Sequence, residues 1–121
     1  MYNYSATVVR VVDGDTIRFD VDLGFNTIIK NHSFRIAKIN TPEIRGEERP
    51  LGIIAKNYVE NLLPVGSRVK LTTYKPDKYG RWLADVELEN GKDLGKLLVD
   101  NKYAKLYKDT SDFIIEEYPS K

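Results

Sequence analysis

β-Branched residues dominate Ala6 to Val12 (A-T-V-V-R-V-V), and Thr16 to Asp22 (T-I-R-F-D-V-D) alternates polar and apolar with a period of two. Successive strand side chains point to opposite faces, so both stretches predict β-strands. Asp13-Gly14-Asp15 is a turn signal between them, and the three pieces together predict a hairpin. Leu23-Gly24-Phe25-Asn26 turns the chain into a longer strand region, Thr27 to Ile39, with an expected interruption at Asn31-His32. From Pro50 the period changes. Leu51, Ile54, Ala55, Tyr58 and Leu62 fall on one helical face, with Lys56, Asn57, Glu60 and Asn61 on the other. Proline is tolerated in the first helical turn, and Pro64 and Gly66 close the element. Two further strands are expected, Arg68 to Tyr74 and Arg81 to Glu89, joined by the polar loop Lys75 to Gly80. Asn90-Gly91 leads into a short helix beginning near Asp93, striped by Leu94, Leu97 and Leu98, and Tyr103 to Tyr107 reads as a last short strand.

Five short strands, taken as antiparallel, with a helix between the third and fourth give the element order of an OB-fold barrel. The expected class is therefore α+β, mainly β: a five-stranded OB-fold barrel with two to three packed α-helices. We expect one domain over 1–121, with its core over about 5–108 and a tail over 109–121 that carries a weak helical stripe capped at Ser111 or Asp112. A chain of 121 residues with 41% hydrophobic and 31% charged residues buries a core of its own.

Composition narrows the chemistry. There is no cysteine, and His32 is the single histidine. Thiolate metal sites, multi-histidine zinc sites and the usual Ser-His or Cys-His nucleophile pairs are excluded. Chemistry must run on carboxylates, guanidiniums, amines, phenols or a hard metal ion. The net charge of +1 provides no globally basic surface, so any phosphate recognition must be local. No apolar run reaches membrane-spanning length, and Met1 to Ser5 has neither the basic nor the apolar region of a signal peptide. The expectation is a cytoplasmic monomer without membrane contact, a leader removed from the sequence being the alternative.

Four polar clusters interrupt these elements. Asp13-Gly14-Asp15-Thr16 is a turn by itself. Arg35 stands inside the apolar strand F-R-I-A-K-I, where an inward arginine needs a carboxylate or a phosphate for a partner. Asn40-Thr41-Pro42-Glu43 has more polar groups than a turn requires. Asp77-Lys78-Tyr79-Gly80-Arg81 sets cations beside an aromatic ring, and alone it is a solvated turn. Together these are the parts for metal-assisted phosphodiester cleavage. Asp15, the Asn40 side-chain oxygen and the Thr41 carbonyl are hard donors suited to calcium. Glu43 is placed to take a proton from water, and Arg35 and Arg81 to clamp a phosphate and stabilise its added charge.

These motifs, in order, are V-V-D-G-D-T, F-R-I-A-K-I-N-T-P-E-I-R-G-E, G-I-I-A-K-N-Y-V and D-K-Y-G-R-W-L-A. Over Val8 to about Tyr107 the chain resembles the staphylococcal nuclease (thermonuclease-like) family. The resemblance implies an OB-fold barrel that hydrolyses DNA and RNA, single- or double-stranded, with calcium, leaving the phosphate on the 3′ side. It implies metal binding by Asp15 and the Thr41 carbonyl, a general base in Glu43, phosphate contacts from Arg35 and Arg81, and contacts to a neighbouring phosphate from Lys78 and Tyr79.

One position departs from the pattern. The family usually has aspartate before T-P-E, where this chain has Asn40. An amide oxygen still ligates a hard cation but brings no charge, so calcium is expected to bind weakly and Asn40→Asp to tighten it. The alternative function is a catalytically weak or inactive module that binds nucleic acid or a protein partner. His32 reads as a surface turn residue. Trp82 reads as core on the opposite strand face, with a base-stacking platform as the alternative. Tyr103, Lys105, Tyr107 and Lys108 line either a groove for a nucleic-acid strand or a plain last strand.

Overall fold

The computed structural model describes residues 2–76 and 79–106. Strand β1 (Tyr2–Asp13) and strand β2 (Thr16–Asp22) form the expected hairpin, with Asp13 paired to Thr16 across a two-residue turn. Strand β3 (Ile28–Ile36) follows, then the two-residue strand β4 (Ile39–Asn40). A 3-10 turn over Gly46–Glu48 leads into helix α1 (Arg49–Leu62), with Pro50 in its first turn. Strands β5 (Arg68–Pro76) and β6 (Trp82–Leu88) precede helix α2 (Leu94–Asp100) and the short strand β7 (Lys105–Leu106), which pairs with β4.

The sheet closes on itself in the order β1-β2-β3-β6-β5. One seam departs from the antiparallel expectation. β3 and β6 run parallel, with Phe34, Arg35 and Ile36 opposite Trp82, Leu83 and Ala84. A parallel seam needs a long crossover, and the segment containing α1 and β5 supplies it. Closure brings the β1–β2 turn, the end of β3 and the start of β6 to one mouth of the barrel.

Asn31-His32 does not break the third strand. Asn31 takes φ 53°, and the β2 register slips between Phe19 and Val21, so the extra residue is absorbed as a β-bulge. Its amide N–H donates to Asp20 Oδ1 at 2.8 Å. His32 is accordingly a half-buried strand residue, edge-on to Phe34 with ring centroids 5.2 Å apart, and not a turn residue. The true interruption falls at Ala37-Lys38, where Lys38 has φ 71°. Trp82 is not core: it shares the inward parity of Ala84 and Val86 but lies at the open mouth, 41% exposed.

The interior is filled by Val8, Ile17, Phe19, Ile36, Leu71 and Val86 from the barrel, closed by Val59, Leu94 and Leu98 from the helices. On α1 the fully buried residues are Leu51, Gly52, Ala55 and Val59, with Ile54, Tyr58 and Leu62 half-buried at the border. The buried stripe is thus rotated from the expected one toward positions 51, 55 and 59. Tyr58 stacks on Tyr103 with centroids 4.0 Å apart, tying α1 to the segment after α2. Asp93 caps α2, its side chain accepting from the Lys96 amide at 2.9 Å. Two α-helices stand among the described residues. The helical stripe expected in the tail, Tyr107 and Lys108 fall outside them.

Candidate active site

The β1–β2 turn is held from within and from without. The Asp15 amide donates to Asp13 Oδ1 at 3.1 Å, a local turn closed by an aspartate side chain. The Asp15 carbonyl accepts from the Ile36 amide at 2.8 Å, which locks the turn to the end of β3. The Thr41 amide donates to Asp15 Oδ2 at 3.1 Å. Gly14 is required for this approach, since a Cβ there would stand 2.9 Å from three atoms of the Thr41 side chain.

Arg35 leaves β3 toward the same point. Its side chain and that of Asp15 are only 12% and 13% exposed, and Nη2 lies 3.3 Å from Asp15 Oδ2. Nη2 also donates to Asn40 Oδ1, and Nη1 donates to the carbonyls of Ile36 and Ile39, both at 2.9 Å. Arg81 enters from the loop before β6. Its Nη1 donates to Thr16 Oγ1 at 3.0 Å, and its guanidinium lies over the Tyr79 ring, 5.6 Å from the centroid. Tyr79 is 72% exposed. Glu43 is exposed, and its amide donates to Glu48 Oε1 at 2.9 Å.

These groups line one cleft of about 270 Å³, walled by Asp13, Asp15, Arg35, Asn40, Thr41, Glu43, Glu48 and Arg81. The structure therefore gathers Asp15, Arg35, Asn40, Thr41, Glu43 and Arg81 from the separated positions the sequence pointed to. Tyr79 stands beside the cleft through Arg81, and Lys78 lies outside the described residues. Among the described residues, no three Asp, Glu or His side chains stand close enough together to hold a metal ion by themselves.

Glu48 and Gly52 were not singled out from sequence, and Asp13 stood in the hairpin-tip cluster as a turn former. Burial, then the hydrogen bond and charge of Asp15, push its carboxyl up from 3.8 to about 7. Glu48 holds the Glu43 backbone. Gly52 on α1 faces that backbone so closely that a Cβ would lie 2.1 Å from the Glu43 carbonyl oxygen. A glycine inside a helix costs about 1 kcal/mol against alanine, which was the available signal of a close approach.

Two consequences are measurable. Gly52→Ala forces backbone against backbone, so either the Glu43 loop or α1 must shift. Denaturant unfolding should show a loss of roughly 1–3 kcal/mol, the usual cost of overpacking. For Asp13 the folded-state pKa is the raised one. Its stabilising contribution is complete below the unfolded value and is lost as pH rises through about 7. Asp13→Asn keeps the acceptor for the Asp15 amide and removes the charge. Unfolding in chelator at pH 8 should find the variant more stable by roughly 1–3 kcal/mol, with little difference near pH 4.

The fold and site together define an OB-type barrel with a carboxylate- and arginine-lined cleft at one mouth. The chain belongs to the staphylococcal nuclease homologue family, whose profile matches residues 33–120. The match begins after β1 and β2, so Asp13 and Asp15 join the site through the barrel geometry. The curated protein "Endonuclease YhcR" of Bacillus subtilis (strain 168) is 32% identical over 114 residues, covering 86% of this chain. The chain spans only 9% of that relative's length. Among the described residues, no helix is long and apolar enough to cross a membrane.

Proposed function

We propose that the chain is a calcium-dependent phosphodiesterase acting on DNA, RNA or both. The observation that carries this reading is the convergence of Asp15, Arg35, Glu43 and Arg81 on one cleft. The charge balance of that cleft supports a cation requirement. Four carboxylates, Asp13, Asp15, Glu43 and Glu48, face two guanidiniums. Even with Asp13 partly protonated, an anionic diester meets net negative charge unless a cation accompanies it.

The donor set fits a hard cation held weakly. Asp15 brings a carboxylate, Asn40 an amide oxygen and Thr41 a carbonyl, and the remaining positions fall to water. Once bound, such an ion polarises the phosphate and water beside it. Glu43, at the exposed rim, takes a proton from the attacking water. Water oxygen bonds to phosphorus, the P–O5′ bond breaks, and the 5′ oxygen is protonated from solvent. Arg81 donates to the phosphate oxygens as their charge grows, with Tyr79 supporting its guanidinium and Thr16 fixing its direction.

The test is incubation of purified protein with single-stranded DNA and with RNA, in calcium, in magnesium and in chelator. Cleavage with calcium and none in chelator is the expected pattern. Nucleic-acid binding without cleavage in any metal would replace this reading with that of a binding module.

A further inference from the structure

The outer face of the β1–β2–β3 sheet carries an arginine pair that the cleft does not use. Arg10 on β1 and Arg18 on β2 are direct cross-strand partners. Residues paired in this way share one face of the sheet, and like charges directly opposite one another destabilise it. Among the described residues neither guanidinium has a carboxylate partner. Arg10 is exposed. Arg18 is half-buried and gives Nε and Nη2 to Asn31 at the β3 bulge, which leaves Nη1 without an acceptor among the described residues. The pair stands next to the cleft. Thr16 and Arg18 are two positions apart on β2, so they share a face and lie about 7 Å apart at the usual strand rise. Thr16 is opposite Arg35 and accepts from Arg81, while Arg18 is opposite Ser33. The row Arg10, Arg18, Ser33 thus begins one step along the sheet from the two cleft guanidiniums. Tyr79 stands on the other flank, against Arg81.

We propose that Arg10 and Arg18 form a second phosphate subsite, which holds the backbone phosphate next to the scissile one in a bound nucleic-acid strand. The inference rests on the phosphodiesterase reading of the cleft. The step from Thr16 to Arg18 is close to the spacing of successive phosphates along an extended strand. A phosphate between the two guanidiniums turns a repulsive cross-strand pair into an attractive one, which accounts for their placement. Ser33 adds a hydroxyl donor to the same row. The cleft walls carry four carboxylates and repel a nucleic-acid strand, whereas this row carries none and attracts it.

The two arginines differ in what else they do. Arg18 also fixes the β3 bulge through Asn31, so its removal disturbs the sheet. Arg10 makes no such bond, and its contribution goes to the ligand alone. Neither reaches the reacting atoms. The pair captures and positions the strand, so it acts on KM, and only for substrates with more than one phosphodiester.

Steady-state cleavage in saturating calcium tests this, with an unfolding midpoint for each protein. The proteins are the wild type, Arg10→Met, Arg10→Lys and Lys92→Met. Lys92 lies in the turn after β6 and among the described residues bonds only through its backbone, so its variant controls for the loss of one charge. On a single-stranded oligonucleotide Arg10→Met should raise KM by about threefold to tenfold, between the worth of an exposed ion pair and that of a charged hydrogen bond, with kcat little changed. The slope of log kcat/KM against log salt should become shallower by about 0.7, the share of one phosphate contact on a single strand. Arg10→Lys should recover most of that slope. On a dinucleotide, which has one phosphodiester, the wild type and Arg10→Met should agree. Removing one of two opposed like charges should leave Arg10→Met at least as stable as the wild type. An Arg10→Met protein with the KM and salt slope of Lys92→Met, or with slower turnover of the dinucleotide, overturns the subsite and leaves the phosphodiesterase reading standing. A clearly lowered unfolding midpoint assigns Arg10 to the sheet and overturns it too. If the wild type cleaves neither substrate, that reading falls, and anisotropy of a labelled oligonucleotide decides the subsite. Weaker binding with a shallower salt slope in Arg10→Met supports it. Binding equal to that of Lys92→Met, or no binding by the wild type, overturns it.

Discussion

Glu43→Gln should lower turnover by about 10²–10⁴-fold, the range for loss of a general base. Glutamine has nearly the shape of glutamate and lacks only the ability to accept the proton of the attacking water. The change should be confined to chemistry. The Glu43 backbone is placed by Glu48 and by the close approach of Gly52, and neither contact involves its side chain. The residue is exposed, so the unfolding midpoint should be unchanged. Oligonucleotide binding should change far less than turnover. Steady-state rates at saturating calcium, with binding measured by anisotropy, check both halves. Near-wild-type turnover would remove Glu43 from the mechanism.

Arg81→Lys should cost about 10²–10³-fold in turnover, comparable to removing one preorganised donor from a developing oxyanion. The charge is kept and the planar fork is lost. Arg81 uses its geometry twice, donating from Nη1 to Thr16 Oγ1 and lying over the Tyr79 ring. A lysine ammonium makes one of these contacts at the expense of the other and presents no second parallel N–H to a phosphate. Arg81 sits in the loop before β6, and its hydrogen bond to Thr16 is worth about 1 kcal/mol, so the domain should remain folded. Turnover and denaturant unfolding on the same preparation separate the two effects. A lysine variant with full activity would leave charge alone as the contribution of residue 81.

Much of the barrel was legible because its signals are local. The alternation in Thr16–Asp22, the Gly14-Asp15 turn and the leucines of α2 each act within a few residues. The polar knot after β3 was legible because it exceeded what a turn needs, and the structure sets Asn40, Thr41 and Glu43 on one cleft. The parallel seam between β3 and β6 joins segments almost fifty positions apart, and no local pattern encodes it. Trp82 was misplaced for a related reason. Its parity along β6 is inward, but where the barrel ends depends on closure. Arg35 was legible as a residue in need of a partner. Whether that partner was a carboxylate or a phosphate was not; the structure sets it against the Ile36 and Ile39 carbonyls, Asn40 Oδ1 and Asp15. The raised pKa of Asp13 was invisible because it arises from burial in a corner shared with Asp15.

The central claim is that this cleft hydrolyses phosphodiester bonds. The most direct measurement is the initial rate of cleavage of an end-labelled single-stranded oligonucleotide in saturating calcium. It compares the wild type with an identically purified, folded Glu43→Gln/Arg81→Lys double variant. The account predicts calcium-dependent cleavage by the wild type and a rate at background in the double variant. Equal cleavage by the two proteins, or none by the wild type at any calcium concentration, would contradict it.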